Sequence, residues 1–389
     1  MAKSNFKDLF SNNESIIGFD EETFYPENSE PPIIKPFDPK EVDIVAKTMV
    51  ISNIIEQLRD GEIILNPEYQ RKANLWNEKD QSRLIESIII RIPLPSFYFD
   101  TTDDEKLIVV DGLQRLTAIR RFAVLEPNNK DKLRLKDLEY INEYNGYTFE
   151  ELPVNIQRRI RQTEIIAYVI RKGTPDNVRN SIFTRINTAG LRLEPAEIRN
   201  AVYRGVASTL LKELAESPAF KEATKNRIKC DRMEDRELIN RFLAFYILGT
   251  EKYNGNLESY LNQVLSEIKA FDANQINDVK KAFTKSMEVA VQLFGDKAFR
   301  RLNSNGKYGK INKPLFECVS VSLAELAEER CSFLVRRKED FILHYEALFF
   351  NKEFTQIISN ATAKLENVKR RFAIFKEILD EVIGNATLP

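Results

Sequence analysis

Five consecutive residues, Asp111-Gly112-Leu113-Gln114-Arg115, close an apolar run and open a helical one. Where a strand turns straight into a helix, the first backbone N–H groups of that helix lack acceptors, and their dipoles favour an anion. Arg115 adds a planar fork of donors that matches phosphate oxygens. Gln114 has the reach to orient a water or a phosphate oxygen, and Asp111 the charge to hold a divalent cation or take up a proton. The residue types therefore describe a phosphate site with catalytic candidates Asp111, Gln114 and Arg115. They equally describe an ordinary Asp-Gly turn, one of the commonest turn pairs.

Two other clusters carry polar residues at element ends. Pro67-Glu68-Tyr69-Gln70-Arg71, followed by the single tryptophan, Trp76, closes the strand-like Ile63-Ile64-Leu65. From there Arg71 has the length to reach the same phosphates; the alternative is a surface turn with an aromatic anchor. Ile182 to Gly190, with Arg185 and Asn187, leads into Glu197-Ile198-Arg199-Asn200-Ala201. This reads either as a ligand-facing corner, with Glu197 and Arg199 pointing in from the next helix, or as a hinge held by side-chain to main-chain bonds.

The elements that must position these residues follow from periodicity. The first 40 residues, rich in proline and acid, read as an extended arm. Thr48-Met49-Val50 ends a strand, Ser52 caps a helix bearing Ile54, Ile55 and Leu58, and Gly61 stops it. A helix from Asn77 carries Leu84, Ile85, Ile88 and Ile89 and ends before Pro93. Phe97-Tyr98-Phe99 and Leu107 to Val110 are strands, and a helical pattern follows Gly112. The charged stretch from Pro127 to Gln162 reads as irregular decoration. Ile165 to Ile170 is a strand, Thr174-Pro175 starts one helix and Glu194-Pro195 another. Beyond Gly205 the spacing is almost wholly helical. The fold class expected is thus α+β, with an arm over 1–40, a mixed α/β domain over 41–205 and a helical domain over 206–389.

Composition narrows the function. A hydrophobic fraction of 43% with 30% charged residues describes a globular protein, and no apolar run approaches a membrane span. With no secretory pattern at the start, a cytoplasmic location without membrane contact is expected. Three scattered cysteines give no disulfide framework, and one histidine, His344, excludes any site needing two. With 58 basic and 59 acidic side chains the net charge is −1, so DNA contact requires local patches. The candidates are Arg158-Arg159-Arg161, Arg300-Arg301 and Lys369-Arg370-Arg371.

Taken in order, P-x-YQR, Trp76, LIES-I with Ile92-Pro93-Leu94-Pro95, VVDG-x-QR-LTA, IF-x-RINT-x-G and EIRNA-x-YRG resemble the ParB/sulfiredoxin-like domain of GmrSD-type restriction proteins, whose hallmark is a DGQQR motif. The resemblance spans Val42 to Gly205. It implies a ParB/sulfiredoxin-like fold binding a nucleoside triphosphate with Mg2+ or a similar divalent cation. By motif, Asp111, Gln114 and Arg115 act on it, Asp111 holds the metal, and Gln70, Arg71, Gly112, Leu113, Arg185 and Asn187 line the nucleotide. It further implies nucleotide hydrolysis in support of DNA restriction or phage defence, with nucleotide-gated binding as the alternative. Leu113 stands where the family's first Gln sits, removing a polar group that hydrolysis would use. Many relatives carry an HNH nuclease half; a lone His344 and the absence of ββα spacing leave none recognisable here, so cutting would fall to another polypeptide or an unfamiliar site, and a separate nuclease or methyltransferase subunit is the protein partner implied.

Overall fold

The computed structural model describes residues 38–65, 76–101, 106–186, 194–228, 233–303 and 306–384. Chain contacts divide it into two compact units, Pro36–Leu193 and a unit that includes Glu194–Pro389. The fold is α+β, as expected, with a sheet in the first unit and helices dominating the second.

In the first unit, β1 (Ile44–Val50) runs directly into α1 (Ile51–Arg59). The helix starts at Ile51 with Val50 as its cap, so the expected Ser52 cap is corrected. Ile51 is fully buried and its N–H bonds the Thr163 carbonyl, and the first turn begins two residues earlier than a Ser52 cap would set it. Asp60 and a left-handed Gly61 (φ 72°) end this helix, and β2 (Ile63–Ile64) follows. The next helix, α2 (Glu78–Ile89), is capped by Asn77, whose side chain accepts the Asp80 N–H at 2.9 Å. Then come β3 (Phe97–Thr101), β4 (Leu107–Asp111), α3 (Leu113–Ile119) continuing as a π-turn over Arg120–Val124, α4 (Val154–Gln162), β5 (Glu164–Ile170) and α5 (Asp176–Ile186).

The strands form one mixed sheet in the order β1-β5-β3-β4-β2. Neighbours alternate antiparallel and parallel, with Ile44 opposite Ile170, Phe97 opposite Ala167, Tyr98 opposite Asp111 and Ile63 opposite Leu107. Phe97, Phe99, Val109, Ile165 and Ala167 on one face join Ile54, Ile85, Ile88, Leu116 and Phe122 in the main core. Toward the other end of β3, buried Asp100 meets Arg179 of α5 at 3.5 Å.

The stretch expected to be irregular before β5 contains α4. Pro153 sets its start, and Ile156 and Ile160 bury the i, i+4 stripe that five polar neighbours had obscured. The loop ahead of it is ordered by one acid. Buried Glu86 on α2 accepts the N–H groups of Glu139, Tyr140 and Ile141 at 2.7–3.1 Å. Burial pushes its carboxyl upward, but these three donors, with Arg83, carry it net below the ordinary value.

The second unit begins with α6 (Pro195–Val202) and continues through α7 (Val206–Glu216), α8 (Pro218–Thr224), α9 (Glu234–Leu248), α10 (Leu257–Ile268) and α11 (Ala273–Phe294). A hairpin of β6 (Arg300–Leu302) and β7 (Tyr308–Ile311) interrupts the helices. Then follow α12 (Lys313–Glu325), α13 (Glu328–Arg336), α14 (Lys338–Ala347), α15 (Lys352–Ile357) and α16 (Leu365–Gly384). The hairpin has no apolar alternation; instead buried Arg300 donates to the carbonyls of Gly309, Tyr308 and Asp296.

A row of alternating charges crosses five of these helices. Arg199 (α6) pairs with Glu237 (α9) and Glu258 (α10); Glu237 meets Arg241 at 3.6 Å; Glu317 (α12) joins Arg241 at 2.6 Å to Arg371 (α16). Arg241, Glu317 and Arg371 are almost wholly inaccessible to solvent. This row explains why the second unit begins at Glu194, ahead of the boundary expected at Gly205: Arg199 binds α6 to the helical body.

Candidate functional site

The corner after β4 is built on Gly112, whose φ of 99° suits a residue without a side chain. A Cβ there would lie 2.5 Å from the Phe97 ring, so the turn admits glycine alone on two independent grounds. Leu116 N–H then bonds the Gly112 carbonyl and starts α3.

Arg115 is held by partners within the fold. Its guanidinium lies 4.3 Å above the Phe97 ring, donates to the Pro95 carbonyl, reaches the Ser96 carbonyl at 3.1 Å, and pairs with Asp111 at 2.7 Å. The side chain is only 10% exposed. Burial lowers its affinity for the proton, and Asp111 opposes that shift. In this arrangement its donors face inward, where they hold the entry of β3 against the exit of β4. Asp111 shares Oδ2 with that arginine while a third of its side chain stays accessible.

Gln114 accepts the Trp76 N–H at 3.3 Å. The carboxamide thus links the turn to the residue that ends the Pro67–Trp76 motif. Leu113, the departure from the family motif, packs part-buried against the main core. Because β2 runs parallel to β4, the chain leaves Ile64 in the direction of the corner. Gln70 and Arg71 lie outside the described residues, as does Asn187. Arg185 sits exposed in the last turn of α5, the helix whose Arg179 meets Asp100.

Glu197 and Arg199 also have partners within the fold. Glu197 closes a capping box with Glu194, and Arg199 belongs to the buried charge row; both are 2% exposed. Of the basic runs, Arg300 and Arg371 are buried, Arg159 donates to the Ile89 carbonyl, Arg161 lies over Phe149 and Arg370 pairs with Glu353. Helical spacing in α4 and α16, and the alternation of a strand in β6, turn consecutive charges to different faces, so none of the three runs presents all its cations together. His344 bonds the Asp340 carbonyl of its own helix. Sequence reading missed Gln81 and Arg121, whose side chains meet at 2.7 Å beside Trp76. A glutamine on the apolar stripe of α2, 1% exposed, was the available signal.

Among the described residues no group of three or more His, Cys, Asp or Glu converges as a metal site, and no helix is long and apolar enough to cross a membrane. A mixed five-stranded sheet whose fourth strand ends in a polar strand-to-helix corner defines an α+β domain. Residues 51–204 match the model for the GmrSD restriction endonuclease, N-terminal domain. No curated protein and no solved structure matches the chain.

Proposed function

We propose that the chain binds a nucleoside triphosphate at the Asp111 corner as part of a DNA restriction or phage-defence system. The observation that carries this reading is Asp111 itself: the acid of the family motif, fixed by Arg115 on one oxygen yet one-third accessible. A lone carboxylate suits Mg2+, which takes one or two protein ligands and completes its shell with phosphate oxygens and water. With Arg115 turned inward, positive charge toward the phosphates would come from Arg71, the other motif arginine. DNA, and a separate nuclease or methyltransferase subunit, are the partners this role calls for.

Hydrolysis would depend on positioning and charge neutralisation. Leu113 favours a second reading, in which the nucleotide acts as a conformational ligand without turnover. Where the motif's first glutamine would offer a polar group, this chain packs an aliphatic side chain against the core.

Phosphate release from each of four NTPs with magnesium, with and without DNA, tests both. Turnover lost in Asp111→Ala supports hydrolysis. Saturable binding without release selects the second reading. Absence of any NTP binding overturns both.

A further inference from the structure

Trp76 is held by its backbone at two points. Gln114 accepts its N–H at 3.3 Å, and Gln81 of α2 donates from Nε2 to its carbonyl at 2.8 Å. The other end of the Gln81 carboxamide accepts from Arg121 Nη1 at 2.7 Å. Arg121 is in turn fixed by the Asp131 carbonyl at 2.7 Å and lies 3.6 Å from Glu78. Gln81 is 1% exposed and the Arg121 side chain 13%. A buried amide has two ends of opposite character, and only one orientation satisfies both Arg121 and the Trp76 carbonyl.

We infer that Gln81 and Arg121 are positioning residues of the Asp111 corner, which fix the Trp76 peptide and thereby set where the Gln114 carboxamide points. The inference rests on the nucleotide reading given above. Arg121 dictates which end of Gln81 faces Trp76. Gln81 then holds the Trp76 peptide plane, and that plane presents its N–H to Gln114, one residue from Arg115 and two from Gly112. A corner whose glutamine is oriented before a ligand arrives spends less binding free energy on ordering it. Neither residue belongs to the sequence motifs, and both reach the corner only through the fold.

The chain has one tryptophan, so its emission reports this peptide directly. Gln81→Glu is nearly isosteric and keeps the acceptor for Arg121, but it removes the donor to Trp76. Full-length wild type, titrated with the four magnesium nucleotides, is expected to change its Trp76 emission on binding. Gln81→Glu should melt within a few degrees of wild type, bind about tenfold more weakly and lose that spectral change. Arg121→Lys, which retains a donor for Gln81, should restore most of both, whereas Arg121→Met should not. Should Gln81→Glu fail to fold, the Arg121 pair decides by the same two readouts. Wild-type binding matched in affinity and spectral change by Gln81→Glu, or by Arg121→Met, overturns this inference alone. A wild type that binds none of the four overturns it together with the nucleotide reading.

Discussion

Two groups of buried arginines in this molecule answer the same problem differently. In the helical unit, Arg241 and Arg371 share the carboxylate of Glu317, each charge answered by another. At the Asp111 corner, Arg115 relies on two backbone carbonyls and an aromatic face, with a single acid that remains partly in solvent. A closed row of charges has no use for an outside ligand. The corner, by contrast, leaves its acid half-committed. Burial of an arginine therefore says little about function until its acceptors are counted.

The sharpest test of that contrast is Glu317→Ala. It leaves two guanidinium groups without their shared acid inside the helical unit, and loss of about 3–5 kcal/mol is expected in denaturant unfolding. A loss below about 1 kcal/mol would show that water or rearrangement replaces the carboxylate and that the row is not closed.

Arg115→Met should cost about 2 kcal/mol, the range for hydrogen bonds involving a charged group. Arg115→Lys should recover little of it, because an ammonium does not span two carbonyls and a carboxylate while stacking on Phe97. The comparison breaks if Arg115→Met unfolds like wild type yet abolishes nucleotide binding, since the guanidinium would then serve the ligand.

Smaller still is the effect of Glu86. Its folded carboxyl lies below the ordinary value, so its contribution is present above that value and fades as the pH falls through the lowered one. Glu86→Gln should cost roughly 1–2 kcal/mol at neutral pH. It should also flatten the stability profile measured by urea unfolding below about pH 4.5. An unchanged acid limb would show that the 139–141 loop is held by other contacts.

Much of this was legible in the chain. A helix beginning at Asn77, a turn at Gly112 and strands at β3, β4 and β5 follow from local chemistry that the fold keeps. Local signals failed where the partner is distant in sequence and generic in type. Arg115 bonds carbonyls at Pro95 and Ser96, and every residue owns a carbonyl. Glu86 bonds three backbone N–H groups more than fifty positions away, as the 53–55 residue separations record. The α4 stripe was hidden because Ile156 and Ile160 stand among arginines. The β6–β7 hairpin was hidden because arginine bonds to carbonyls stand in for apolar packing. The spacing of motif residues pointed to a corner of the fold but not to which side chains the scaffold itself would claim.

Among the described residues the outer strand β1 finds its partner in β5, where Ile44 faces Ile170. During synthesis β1 leaves the ribosome early and must wait for the rest of the sheet before it can pair. Closing so long a loop is slow, whereas the neighbouring helix contacts of the second unit form between segments made in quick succession. The first unit should therefore mature after its last strand emerges. Until then Ile44–Val50 is an unpaired β-rich edge, the stage at which a chaperone would matter most to this chain.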